Sequence, residues 1–311
     1  MGIKKLKSLL TPVPEKLRSL RSHDSNDHWL VQDIGFDEED YPEATHVMIG
    51  CPLDEGVRRN NGRAGAAEAP LGIRSQLYRL QSPKKSGINL FDAGDIGETD
   101  PLEKAHDVLT ETVSQFLKDN KKVIVLGGGN DISYADVRAL AEVEKNISAI
   151  NVDAHLDIRI ADKMTSGTPY RKLIEDGYLE AKHFYEFGIR PESNASFYLE
   201  DAENLGVHIY WLPQLIEKGV VKSFQKIVEM IDQRPFFLGL DVDSVQAADA
   251  PGVSASSPTG FSGREVIQLI RLARQKENLK LFEITEVNPQ FDIDNRTVKL
   301  AAQFIYKYLF E

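Results

Sequence analysis

The chain has 311 residues, with 37 Lys and Arg against 48 Asp and Glu, and so a formal net charge of −11 at pH 7. Hydrophobic residues make up 41% and charged residues 27%. That balance excludes disorder along the whole chain, and the acidic excess argues against nucleic acid or an anionic membrane surface as a partner. Residues 1–45 read as a peripheral N-terminal segment, polar, with the acidic patch Asp37–Asp40 and without a strong period. The basic start has apolar stretches too short for a signal-peptide core, and no apolar run approaches ~20 residues, so no bilayer-spanning helix is expected. A lone Cys51 admits no internal disulfide and fits a reducing cytoplasm. From His46 onward, apolar runs at His46–Cys51, Lys122–Leu126, Ile147–Val152, Phe236–Leu240 and Leu279–Ile284 lack clean alternation, as strands covered on both faces do. Weaker strands are expected at Ile88–Asp92, His183–Phe187 and Val207–Trp211. Helical patterns fall at Leu71–Leu80, Leu102–Leu117, Tyr134–Val143, Val221–Ile231, Gly263–Gln275 and Asp294–Leu309. This alternation means βαβ units and one α/β domain, residues 46–311, with a mostly parallel sheet.

In such sheets ligands bind beyond the carboxyl ends of the strands. Those ends carry Gly127-Gly128-Gly129-Asn130-Asp131, Asp153-Ala154-His155-Leu156-Asp157, Asp241-Val242-Asp243 and Thr285-Glu286. Asp153, His155 and Asp157, spaced by two, share one side of an extended segment, and Asp241 and Asp243 repeat the spacing. Several carboxylates cannot stay ionised side by side without a cation. One imidazole among carboxylates suits Mn²⁺ or a similar divalent ion, and the excess of carboxylates suggests bridging between two ions. The competing reading, Asp side chains capping turns, fits either cluster alone better than both at successive strand ends. The glycine triplet lacks GxGxxG and GxxxxGK[ST], so close backbone approach is a simpler account of it than a phosphate cradle.

Asp153–Asp157, Leu240–Asp243 with Ala250-Pro251-Gly252, and Glu286-Val287-Asn288-Pro289 resemble the three signatures of the ureohydrolases, the superfamily of arginase, agmatinase and formimidoylglutamase. Gly56–Asn60, Gly62-Arg63, Gly65–Ala67, Pro70, Gly127–Gly129 and Ser166–Pro169 are most similar to formimidoylglutamase. The resemblance implies an arginase-like parallel sheet of about eight strands flanked by helices on both faces, and a homo-oligomer. It implies two Mn²⁺ ions bridged by Asp153 and Asp241, with Asp157 completing one site and His155 and Asp243 the other. Glu286 would accept hydrogen bonds from an amidine or guanidine. A hydroxide bridging the metals would attack the amidine carbon, with Asp157 orienting it and shuttling the proton. The implied reaction is N-formimidoyl-L-glutamate plus water to L-glutamate plus formamide, a step of histidine degradation. A guanidino hydrolase of the arginase or agmatinase kind, and a non-catalytic member, are the alternatives.

One position departs from the family pattern. Where a His ligand follows the glycines, this chain has Asn130, with Asp131 beside it. Asn130 could ligate through oxygen, Asp131 could substitute, or the site could bind its ion weakly. For substrate carboxylates Arg58, Arg59, Arg63 and Arg190 are the candidate cations, Arg63 and Arg190 the preferred pair with Asn60 beside them, since Arg gives fixed bidentate donors. His23, His28, His46, His106, His183 and His208 lack ligand spacing and read as structural or surface residues, His208 packed in a strand. Cys51 reads as a buried, inert thiol.

Overall fold

The structure, a computed structural model, describes residues 9–83, 87–97 and 99–311. The basic residues 1–8 at the start of the N-terminal segment lie outside the described residues. Nine strands form one sheet: β1 (Leu10–Thr11), β2 (His46–Gly50), β3 (Leu90–Ile96), β4 (Lys122–Leu126), β5 (Ser148–Val152), β6 (Phe184–Ile189), β7 (His208–Trp211), β8 (Phe236–Asp241) and β9 (Leu279–Thr285). Their order is β1-β3-β2-β4-β9-β8-β5-β6-β7. Every pairing is parallel except that of β1 with β3, so eight strands make the parallel sheet read from the sequence.

Eleven helices among the described residues flank it: α1 (Glu15–Arg18), α2 (Glu55–Arg59), α3 (Ala69–Leu77), α4 (Leu102–Lys118), α5 (Ser133–Val143), α6 (Pro169–Glu175), α7 (Ser196–Leu205), α8 (Leu212–Lys218), α9 (Val220–Ile231), α10 (Gly263–Arg274) and α11 (Arg296–Phe310). Helices α3, α8, α9, α10 and α11 close one face over Ile124, Ile150, Leu238 and Phe282. Helices α4 to α7 close the other over Val123, Ala149, Phe237 and Leu281. Alternate residues of each strand therefore enter different cores, which is why the strands are apolar without alternation.

Local chemistry sets the boundaries. Helix α10 starts where Ser262 and Glu265 form a reciprocal capping box, each side chain accepting the other's backbone N–H. Asp292 accepts from the backbone N–H groups of Thr297 and Val298 at 3.0 and 3.1 Å, which fixes the first turn of α11. Strand β3 runs past the expected Asp92, because Arg74 neutralises both Asp92 and Asp95 and Gly94 takes φ +88° at a register shift. From the N-terminal segment, Leu10 pairs with Ile96, and Val13, Leu17, Leu30, Val31 and Ile34 are buried in the core closed by α3. His208 differs from its expected packing: it is exposed, stacked flat on Tyr185 at 4.8 Å. Among the described residues no helix is long and apolar enough to cross a membrane.

Candidate metal centre and active-site cleft

The four adjacent strands β4, β9, β8 and β5 end at one rim, and the polar residues after them converge there. Asp153 and Asp241 leave neighbouring strands, and each turns its carboxylate back on its own loop. Asp153 Oδ1 accepts from the backbone N–H of His155, and Asp241 Oδ1 from that of Asp243, both at 2.8 Å. Such turns fix the direction of the carboxylate oxygens instead of leaving them to swing. Asp157 and Glu286 sit on left-handed backbone, φ +46° and +62°, a strained choice for carboxylate residues that the surroundings enforce. Glu286 is pinned by its N–H to the Gly128 carbonyl at 2.9 Å. A Cβ on Gly128 would stand 1.6 Å from the Leu53 carbonyl oxygen, so the glycine triplet answers to close backbone approach.

Two groups of potential ligand atoms result, each within 4.8 Å: Asp153, His155 and Asp243, and Asp153, Asp157 and Asp241. Asp153 is common to both. His155 Nδ1 lies 3.1 Å from Asp243 Oδ2, and Asp243 Oδ1 is buried without a partner. Burial first, then neighbouring charge, raises the carboxyls of Asp157 and Asp241 well above their usual range, and burial likewise raises Asp153 and Glu286. The Asp243 charge pushes His155 up to about 12. Such a cluster takes up positive charge, and the hard oxygens with one imidazole fit divalent ions of the Mn²⁺ kind.

Asn130 is buried at the same floor. Its Nδ2 donates to Asp157 Oδ2 at 2.6 Å and lies 3.4 Å from Asp153 Oδ2, while its Oδ1 accepts from Ser133 and Thr285. Its backbone N–H donates to Glu286 Oε1 at 3.0 Å. Asp131 points elsewhere, its Oδ2 2.8 Å from His106 Nε2 in a buried pair, so it is no substitute ligand.

Above this floor opens a cleft of about 330 Å³ lined by His155, Asp157, Asp241, Asp243 and Glu286 below and by Asn60, Arg63, Arg159 and Ser166 higher up. Asn60 donates to Ser166 Oγ at 3.1 Å. Arg63 is at the mouth, but its Nε and Nη2 donate to the carbonyls of Ser254 and Val253, with its guanidinium 4.4 Å over Phe291. Arg190 is not brought to the cleft. It is 2% exposed, and its Nη2 donates to the Asp243 carbonyl at 2.7 Å, bracing the loop that carries that carboxylate. Arg58 pairs with Asp54, and Arg59 with Glu55 and Glu103. Sequence reasoning passed over Arg159, exposed in the cleft lining two residues beyond Asp157, whose signal was its place in the same strand-end loop. Cys51 is fully buried with its thiol pushed up by burial, as an inert residue is.

Comparison with known proteins gives concordant findings. The profile of the Arginase family matches residues 44–310. Formimidoylglutamase of Geobacillus thermodenitrificans is 34% identical over 274 residues, spanning 86% of this chain and 84% of its own. That of Paraburkholderia xenovorans is 33% identical over 280 residues, spanning 85% and 87%. A structure of Trypanosoma cruzi formiminoglutamase with Mn²⁺₂ superposes with a TM-score of 0.85 at 32% identity, covering 91% of this chain and 98% of that one.

Proposed function

The chain belongs to the arginase family, and from that premise we propose that it is a manganese-dependent hydrolase converting N-formimidoyl-L-glutamate and water to L-glutamate and formamide. The observation that carries the reading is the pair of ligand groups sharing Asp153 on the floor of a cleft that also exposes Glu286. On this reading Asp153, His155 and Asp243 would hold one ion, and Asp153, Asp157 and Asp241 the other. Bound Mn²⁺ supplies Lewis acidity and makes water a nucleophile near neutral pH. Named relatives act on, or are solved with, these partners: formimidoylglutamases by name and a formiminoglutamase with Mn²⁺₂.

The chain's own groups do the rest. Glu286, held by the N–H of Asn130, accepts hydrogen bonds from the amidine nitrogens and fixes the carbon over the carboxylate floor. Asp157 takes the proton of the attacking water and returns it to the departing amine nitrogen, so the C–N bond to glutamate breaks and formamide keeps the new oxygen. The two carboxylates of the glutamyl portion meet the cationic mouth, where Arg159 has no ion-pair partner among the described residues and Arg63 and Asn60 lie nearby. That mouth favours an anionic amidine over cationic agmatine. The reaction belongs with histidine degradation in the cytoplasm. The exposed apolar side chains Leu71, Phe291 and Ile293 supply surface for a homo-oligomer.

The test is product analysis on the Mn²⁺-loaded 311-residue chain. Formamide and glutamate from N-formimidoyl-L-glutamate, with no urea from arginine or agmatine, is expected. Urea release with no formamide would overturn the substrate assignment.

A further inference from the structure

A second polar layer lies beneath the metal-binding carboxylates. The register pairs Glu186 of β6 with Asn151 of β5, Asn151 with Gly239 of β8, and Gly239 with Glu283 of β9. Asn151, Gly239 and Glu283 stand two residues before Asp153, Asp241 and Thr285, so the row occupies the same face one pleat below the floor of the site. Asn151 Nδ2 confirms the stacking, donating to Asp153 Oδ2 at 3.0 Å and to Glu186 Oε2 at 3.1 Å. Because Gly239 has no side chain, the Tyr170 hydroxyl of α6 fits over it, 3.2 Å from where a Cβ would stand. From α5, Asp136 pairs with Glu283.

Asp136, Glu186 and Glu283 are 0% exposed, and none meets a Lys or Arg among the described residues. Three bare carboxylates at such depth would cost several kcal/mol each, so the layer holds protons. Burial pushes Asp136 up to about 7, and burial with the Asp136 charge pushes Glu283 well above its usual range. A proton held between these two would join Glu283 Oε2 to one Asp136 oxygen, atoms that otherwise have no partner, and would leave Glu283 Oε1 an acceptor; a proton on Oε1 makes that atom a donor instead.

Ser133 joins this layer to the site. Its Oγ is 2.6 Å from Glu283 Oε1 and 2.9 Å from Asn130 Oδ1. A hydroxyl has one hydrogen, so Ser133 can donate to only one of the two. With Nδ2 of Asn130 turned to Asp157, Ser133 donates to Asn130 Oδ1, and Glu283 Oε1 must carry a hydrogen donated to Ser133. Where Glu283 Oε1 is an acceptor, Ser133 donates to it instead. The Asn130 amide then turns over, donates to the Ser133 and Thr285 oxygens, and presents Oδ1 to the space between Asp153 and Asp157. Only that second orientation can ligate a cation.

We propose that Asp136, Glu283 and Ser133 are positioning residues that set which end of the Asn130 amide faces the metal-binding carboxylates, and so tune metal affinity on the Asp157 side. The inference rests on the Mn²⁺ reading above.

Asp136→Asn and Glu283→Gln test it, because each gives the other member of the pair a permanent N–H donor and leaves the oxygen facing Ser133 as an acceptor. Calorimetric Mn²⁺ titration of the full chain, with the Mn²⁺ electron spin resonance signal as a second readout, should show the weaker ion binding about tenfold more tightly in each variant. Adding Ser133→Ala to either should remove the gain. Wild-type affinity in a folded variant, or a gain that survives Ser133→Ala, overturns the relay. Wild-type chain that takes up no Mn²⁺ overturns the metal reading itself. Should neither variant fold, neutron diffraction of wild-type crystals decides: deuterons on the Asn130 nitrogen should face Asp157 without Mn²⁺ and Ser133 with it, and one orientation in both overturns the proposal.

Discussion

Two buried clusters of carboxylates lie on the same sheet and are neutralised differently. In β3, Asp92 and Asp95 meet Arg74, which is 1% exposed and bonds Asp92 through Nε and Nη2 at 2.7 and 2.9 Å and Asp95 through Nη1. Tyr78 adds a hydrogen bond to Asp92 at 2.6 Å. At the ends of β5 and β8, Asp153, Asp157, Asp241 and Asp243 have only His155 as an internal cation among the described residues. The first cluster is complete within the chain and is structural. The second is left short of positive charge, which is what a site for divalent ions requires.

Removing one charged group from each cluster separates the two most visibly. Asp241→Ala deletes a proposed metal-binding carboxylate and should leave no measurable formamide release, while the melting temperature without metal stays level or rises, since one uncompensated carboxyl is gone. Residual turnover near wild type would contradict the role given to Asp241. Arg74→Ala should do the opposite. It strands Asp92 and Asp95 and should cost about 3–5 kcal/mol in denaturant unfolding, a loss that Mn²⁺ does not relieve. A smaller effect is expected at the mouth: Arg159→Ala should raise KM for the anionic amidine roughly tenfold with kcat little changed, as loss of a charged contact made equally in ground and transition states does. An unchanged KM would remove Arg159 from substrate binding.

The smallest effect concerns the layer below. Asp136 is raised in the folded state to about 7 from its ordinary 3.8. Its contribution to stability is thus full below about pH 4 and lost as pH rises through 7. Asp136→Asn should therefore gain stability relative to wild type as thermal melts are moved from pH 4 to pH 7. A difference that does not vary with pH would mean that Asp136 ionises normally.

Much of this was legible in the residues. Asp153, His155 and Asp157 at spacings of two after an apolar run, and Asp241 and Asp243 after another, mark strand ends because side-chain direction alternates along a strand. Strand register was not legible, since one sequence does not say which strands are neighbours. Glu186 and Glu283 lie in the middle of apolar strands, and only the pairing through Asn151 and Gly239 makes them one layer. Arg190 follows a strand at the correct rim, yet its length lets it fold beneath Asp243 instead of into the cleft. Arg159 was hidden by the opposite effect, a polar residue after the motif that resembles ordinary surface.

The central claim is that the strand-end cluster is completed by metal ions and not by protons alone. Its most direct test is Mn²⁺ content per chain after saturation and desalting, by plasma mass spectrometry, for wild type and Asp241→Ala. Two ions in wild type and fewer in the variant are predicted. A wild-type chain that retains none at saturating Mn²⁺ would contradict it.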